Sequence, residues 1–228
     1  MKLVFKNLLY FSVVYFIVFI IDSYVKINLS SFPYRYISKA LLVFLLVIFF
    51  LFNQSEDESN KKPIVILALL SFIVGDVFFI SADSSNIMLI IGAIFFAIGK
   101  ILYAIRFSNK QDFNILKLIP FLLFCFIYMC WLMIVIYDNL GNYFIPTLSF
   151  LFIVMILTQF AYLRKNEVNR LSYWLVLIGV ILSMFSDSLT ILKQFHDYNI
   201  AYNNVTIMLF YGLSQYFIIL GIIKEKNE

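Results

Sequence analysis

The sequence predicts an all-α polytopic membrane bundle of eight transmembrane helices, and three observations carry that expectation. Hydrophobic residues make up 63% of the 228 positions, charged residues only 13%, and mean hydropathy is +0.96. A soluble domain carries about 25% charged residues. Eight apolar runs of membrane-spanning length follow one another, at 3–21, 37–52, 64–82, 87–105, 116–137, 143–163, 173–191 and 205–223. Each is near the ~20 residues that cross a ~30 Å hydrocarbon core, and their continuous apolarity means helices, since barrel strands alternate. Third, the basic residues fall unevenly on alternate sides of those runs. The hydrophobicity excludes disorder, and a net charge of +4 with no basic stripe excludes nucleic-acid binding.

The elements justify themselves in order. The first run follows Lys2 and Lys6 and stops at Asp22-Ser23-Tyr24. It is too long for a signal peptide and lacks a small-x-small cleavage site, so it is expected to be a retained signal anchor. The second run carries Lys39 at its outer end and closes on NQSEDESNKK at 53–62, the longest polar connection. The third contains SFIVGDVFFI, with Ala68, Ser71 and Gly75 as a small-residue face beside Asp76. On the fourth, Gly92, Phe96, Gly99, Lys100 and Tyr103 cluster on one side. The fifth holds Cys125 and Cys130, about 140° apart around a helix and unable to pair; both read as small buried hydrophobes. The sixth ends before Arg164 and Lys165. On the seventh, Gly179, Ser183, Asp187, Thr190 and Gln194 form one stripe, and on the eighth Asn204, Met208, Tyr211 and Gln215 repeat that spacing.

Direction comes from the charges. Lys2, Lys6, Lys61, Lys62, Arg106, Lys110, Lys117, Arg164, Lys165, Arg170, Lys224 and Lys226 share the side of both termini. Only Lys26, Arg35, Lys39 and Lys193 lie opposite, and Lys100 is inside a span, which accounts for all seventeen. The positive-inside rule puts both termini in the cytoplasm of a multi-pass cell-membrane protein, as an even span count requires. His196 is the only histidine, so a centre with several histidine ligands is impossible, and no metal or other cofactor is expected.

An ionisable side chain at the bilayer centre costs about 2.5–3.5 kcal/mol on insertion scales. Of thirteen carboxylates, eleven are assigned to loops, helix ends or the tail, leaving Asp76 and Asp187. Both lie on outward-running spans, a turn or more below the non-cytoplasmic end, where two carboxylates can converge. Lys39, at nearly that depth, is the expected counter-ion. Plainer readings stand beside these. A single aspartate reaches water at a shallow interface, Lys39 marks a helix end, Lys100 snorkels, and the small-residue stripes are packing faces. A weak internal symmetry adds to the case. Asp76 and Asp187 are 111 residues apart, and Gly99-Lys100 and Ser214-Gln215 are 115 apart. This spacing suggests two parallel four-helix repeats with a site between them.

At these residues the sequence resembles the YhhN-like family of eight-span membrane proteins, which includes the lysoplasmalogenases. The likeness rests on Ser38-Lys39-Ala40-Leu41, on SFIVGDVFF at 71–79 and on GAIFFAIGKILYAIRF at 92–107. GVILSMFSDSL at 179–189 and IMLFYGLSQ at 207–215 complete it. Two positions depart from the family pattern: Ala40 stands where a proline is usual, and Lys100 where a histidine is usual.

The resemblance implies hydrolysis of the vinyl-ether bond of a lysoplasmalogen, a membrane lipid of the lysophospholipid class, to a fatty aldehyde and a glycerophospho-alcohol. That chemistry begins with protonation of an alkene carbon and passes through an oxocarbenium-like cation that water traps. Two carboxylates in a low-dielectric site suit it, one giving the proton and the other supporting cation and water, as in glycosidases. Asp76 and Asp187 are the expected acid and base, with Lys39 holding one ionised. Ser186, Tyr211 and Gln215 are expected to orient substrate or water, with Lys100 and Tyr103 in support. The rival expectation is a proton-coupled transporter or lipid-binding protein without hydrolytic activity, since intramembrane carboxylates on parallel repeats suit a carrier as well.

Overall fold

The structure, a computed structural model, describes residues 5–29, 31–53, 61–81, 85–108, 115–196 and 203–225. The regular structure among them is helical: α1 Leu8–Asn28, α2 Tyr36–Asn53, α3 Lys61–Ile80, α4 Asn86–Phe107, α5 Ile115–Leu140, α6 Phe144–Leu163, α7 Arg170–Phe195 and α8 Asn203–Ile223. Seven stretches are long and apolar enough to cross a membrane, where the sequence led us to expect eight. The difference lies in one place. α5 and α6 follow each other through a single 3-10 turn, Gly141–Tyr143, so that Leu118–Leu163 forms one apolar stretch of 46 residues. Gly141 adopts φ +46° in that turn, a conformation that favours glycine, and the two helices pack against each other. The protein is an all-α multi-pass membrane bundle.

A second correction concerns α1. The expected run stopped before Asp22, but the helix continues to Asn28 and ends where Leu29 turns extended, its N–H still bonded to Val25 O at 3.0 Å. Asn7 caps the start, its side chain accepting from Leu9 N at 2.9 Å. Asp22 is therefore inside a membrane helix, on the buried stripe Phe11, Tyr15, Phe19, Asp22. It does not belong to a loop.

The chain forms two compact units, Met1–Arg106 and Phe107–Glu228. In the first, α1 stacks Phe11 flat on Phe49 of α2, ring centroids 3.8 Å apart, and Asn53 donates from Nδ2 to Phe5 O. α3 and α4 close tightly because glycines receive phenylalanines. A Cβ added at Gly75 would meet the Phe96 ring at 2.5 Å, one at Gly92 the Phe79 ring at 2.8 Å, and one at Gly99 the Phe72 ring at 2.8 Å. The glycines of α4 thus serve helix packing, the plainer of the two readings of the small-residue stripes.

In the second unit, Met129, Leu132, Met133, Ile136 and Leu140 of α5 pack with Leu151 of α6 and Ile191 of α7. α7 and α8 approach closely at Gly179, where a Cβ would stand 2.9 Å from both Ser214 O and Ile218 N. The end of α8 is held by Arg164, a buried residue between α6 and α7. Its Nη2 lies 2.9 Å from Glu225 Oε2 and its guanidinium 4.8 Å from the Phe107 ring centroid. Ser172 Oγ donates to Gly221 O at 2.7 Å beside it.

Candidate functional site

Four of the eight residues singled out in the sequence fall in the first unit. Asp76, on α3, is 1% exposed, and Lys39 of α2 places Nζ 2.7 Å from its Oδ1. Lys39 is thus the counter-ion of Asp76 and does not merely mark a helix end. Its own side chain is 13% exposed, so the ammonium reaches inward from the surface while the carboxylate is enclosed. Lys100 and Tyr103, on α4, are both buried. Lys100 does not snorkel to an interface. Tyr103 packs its ring 5.4 Å from that of Phe72, and Tyr15 of α1 lies within electrostatic reach of its phenol.

The same unit contains a carboxylate that sequence reasoning missed. Asp22 is 0% exposed, and its Oδ1 accepts a hydrogen bond from Ser38 Oγ. Ser38 is the neighbour of Lys39, so one dipeptide of α2 serves two carboxylates, Asp22 of α1 through the hydroxyl and Asp76 of α3 through the ammonium. Lys39, Arg35 and Lys26 are the cations whose charge reaches Asp22. Tyr36 and Ser81 share a short hydroxyl–hydroxyl bond that ties α2 to the end of α3. A signal for Asp22 was present in the sequence: it stands at i+3 from Phe19 and i+7 from Tyr15, and apolar Val25 and Ile27 continue beyond it.

The other four fall in the second unit. Asp187 of α7 is half-buried, while Ser186 is buried and donates from Oγ to Ile207 O of α8 at 3.0 Å. On α8, Gln215 is buried and Tyr211 half-buried. Tyr128 of α5 donates its hydroxyl to Ser188 Oγ at 2.8 Å and lies within electrostatic reach of Asp187, another neighbour the sequence did not reveal. Thr190 Oγ1 bonds back to Ser186 O at 2.8 Å, a helix-internal contact that removes it from the polar stripe. The Asn204 side chain of that expected stripe lies outside what the structure describes.

Chemically, the first unit offers a carboxylate–ammonium pair and a second carboxylate fixed by a hydroxyl, all in a low-dielectric interior. That combination suits proton transfer and the support of a developing positive charge. The model of the YhhN family matches residues 34–222. The chain belongs to the YhhN family. The family includes lysoplasmalogenases. The match begins before Lys39 and ends beyond Gln215, so all eight expected residues fall within it, and Asp22 lies before it. No curated protein and no solved structure matches the chain.

Proposed function

We propose that this YhhN-family chain is an intramembrane hydrolase of an ether lysophospholipid, cleaving the vinyl-ether bond of a lysoplasmalogen. The observation that carries the reading is the buried Lys39–Asp76 pair, an ionised couple inside a membrane bundle of a family that includes lysoplasmalogenases. An ion pair enclosed among apolar helices is weak evidence for stability and points to chemistry. In the reaction, a carboxylic acid delivers its proton to the alkene carbon remote from the ether oxygen. The resulting oxocarbenium ion is supported by the partner carboxylate, which takes a proton from the attacking water. The hemiacetal then collapses to aldehyde and glycerophospho-alcohol. Asp76 and Asp187 are the acid–base pair of this reading, Lys39 tunes Asp76, and Ser186, Tyr211 and Gln215 orient substrate or water.

The topology belongs to the same proposal. A helix rises 1.5 Å per residue, so 46 residues extend about 69 Å, more than twice the hydrocarbon thickness. Leu118–Leu163 therefore crosses twice, with Gly141 at the turn. Eight crossings result, and the basic residues put both termini in the cytoplasm.

The test is aldehyde release from lysoplasmalogen by purified protein, with the acyl lysophospholipid as control substrate. Wild type releases aldehyde from the former only, and Asp76→Asn and Asp187→Asn each lose about 100-fold or more, the range of a general acid or base. No aldehyde from wild type, or full activity in both variants, overturns the reading. The rival carrier function predicts lipid-independent proton movement across vesicles with no aldehyde.

A further inference from the structure

Asp22 lies outside the acid–base pair just proposed, and its two carboxyl oxygens have different surroundings. Oδ1 is satisfied by Ser38, but Oδ2 is buried and has no hydrogen-bond partner among the described residues. A carboxylate oxygen enclosed among helices without a donor is costly, so a donor is what the position calls for. Three donor classes are available. A further cation is disfavoured, because the position is fully buried and Lys39, Arg35 and Lys26 already direct positive charge at it. Bulk water is kept out by the apolar side chains on the same face of α1, Phe11, Tyr15, Phe19 and Val25, all buried. A neutral hydroxyl carried on an amphiphile remains, and the bilayer delivers amphiphiles sideways.

We infer that Asp22 is a specificity-determining residue whose Oδ2 accepts the free glycerol hydroxyl of a lysolipid, distinguishing it from lipids in which that hydroxyl is substituted. The inference rests on the ether-lysolipid reading above. Ser38 holds the carboxylate in place, and Lys39, the most exposed member of the cluster, marks the side from which the glycerol approaches. The same arrangement brings the lipid's polar end next to Asp76, through the ammonium that both carboxylates share.

The experiment measures binding, so it is independent of turnover. Purified protein in nanodiscs is titrated with an alkyl-ether lysophosphocholine, which has no vinyl bond to cleave, and with the same lipid O-methylated on its glycerol hydroxyl. Wild type is expected to bind the free hydroxyl form about tenfold tighter, the worth of one buried hydrogen bond. Asp22→Asn, which keeps an acceptor for Ser38, brings the two lipids within about twofold by weakening only the hydroxyl form. Equal binding of both lipids by wild type, or an undiminished preference in Asp22→Asn, overturns the assignment. Should Asp22→Asn fail to insert, Asp22→Glu, which keeps the carboxyl group but moves it by one methylene, is expected to show a reduced preference; an unchanged one counts against the inference. A wild type that shows the preference but releases no aldehyde refutes the hydrolase and leaves the hydroxyl site standing. Aldehyde release without the preference does the reverse.

Discussion

Removing Lys39 is expected to cost far more stability than removing its partner. At an effective dielectric constant of about 20, unit charges 2.7 Å apart attract by about 6 kcal/mol. Desolvation of both groups offsets most of that, which is why replacing a whole buried pair by apolar residues is often close to neutral. Breaking the pair from one side is different. Lys39→Met takes the ammonium away from the Asp76 carboxylate, which is 1% exposed, a loss of about 3–4 kcal/mol. Asp76→Leu leaves Lys39, which is 13% exposed on a flexible stem and turns its ammonium outward, so the loss is only about 1–2 kcal/mol. The double variant should lie within about 1 kcal/mol of wild type, giving a coupling energy of about 3 kcal/mol or more. Reversible unfolding in mixed detergent micelles, run on all four proteins, measures each corner of this cycle. Additive losses, or a Lys39→Met protein as stable as wild type, would refute the claim that the two charges are enclosed together.

Two further outcomes follow from the helix contacts. Gly179→Ala should cost about 1–3 kcal/mol in the same unfolding assay, more than Gly75→Ala, because the first Cβ meets backbone atoms of Ser214 and Ile218 and the second meets a Phe96 ring that can turn; equal losses would contradict this. The double crossing of Leu118–Leu163 is checked by cysteine labelling on a background lacking Cys125 and Cys130. A membrane-impermeant maleimide should modify Asn142→Cys from one face of sealed vesicles and Lys165→Cys from the other, both positions being exposed. Labelling of both from one face would count against a turn at Gly141.

The membrane class and the position of most helices were legible because they depend on composition and run length, which the bilayer makes nearly sufficient. The break between α5 and α6 was legible as a pair of runs, 116–137 and 143–163, because Asp138, Asn139, Gly141 and Asn142 interrupt the hydropathy. The structure spends almost none of those residues on a loop, since α5 runs on to Leu140 and α6 begins at Phe144. Polar residues in this chain do not end helices by themselves. On the fourth run the packing-face reading of the small residues holds, because Gly92 and Gly99 receive Phe79 and Phe72. Spacing along one helix cannot say whether a glycine faces a ligand or a ring on the next.

The same physics explains what was seen and what was missed at the site. Lys39 and Asp76 were found as partners because matched depth on adjacent spans is readable from sequence, and an enclosed carboxylate selects the nearest cation. Asp22 was missed because a charged residue at the edge of an apolar run was taken as the start of water. Six residues of helix separate it from Asn28, about 9 Å of rise, so its backbone lies well inside the end of α1. The chain accepts that cost at Asp22 while supplying, among the described residues, one hydrogen bond, from Ser38. If burial alone were the purpose, an apolar side chain on the Phe11–Tyr15–Phe19 stripe would serve better. The carboxylate is therefore better understood through what its second oxygen accepts, which is why the lipid's hydroxyl, and not the stability of α1, is the quantity to vary.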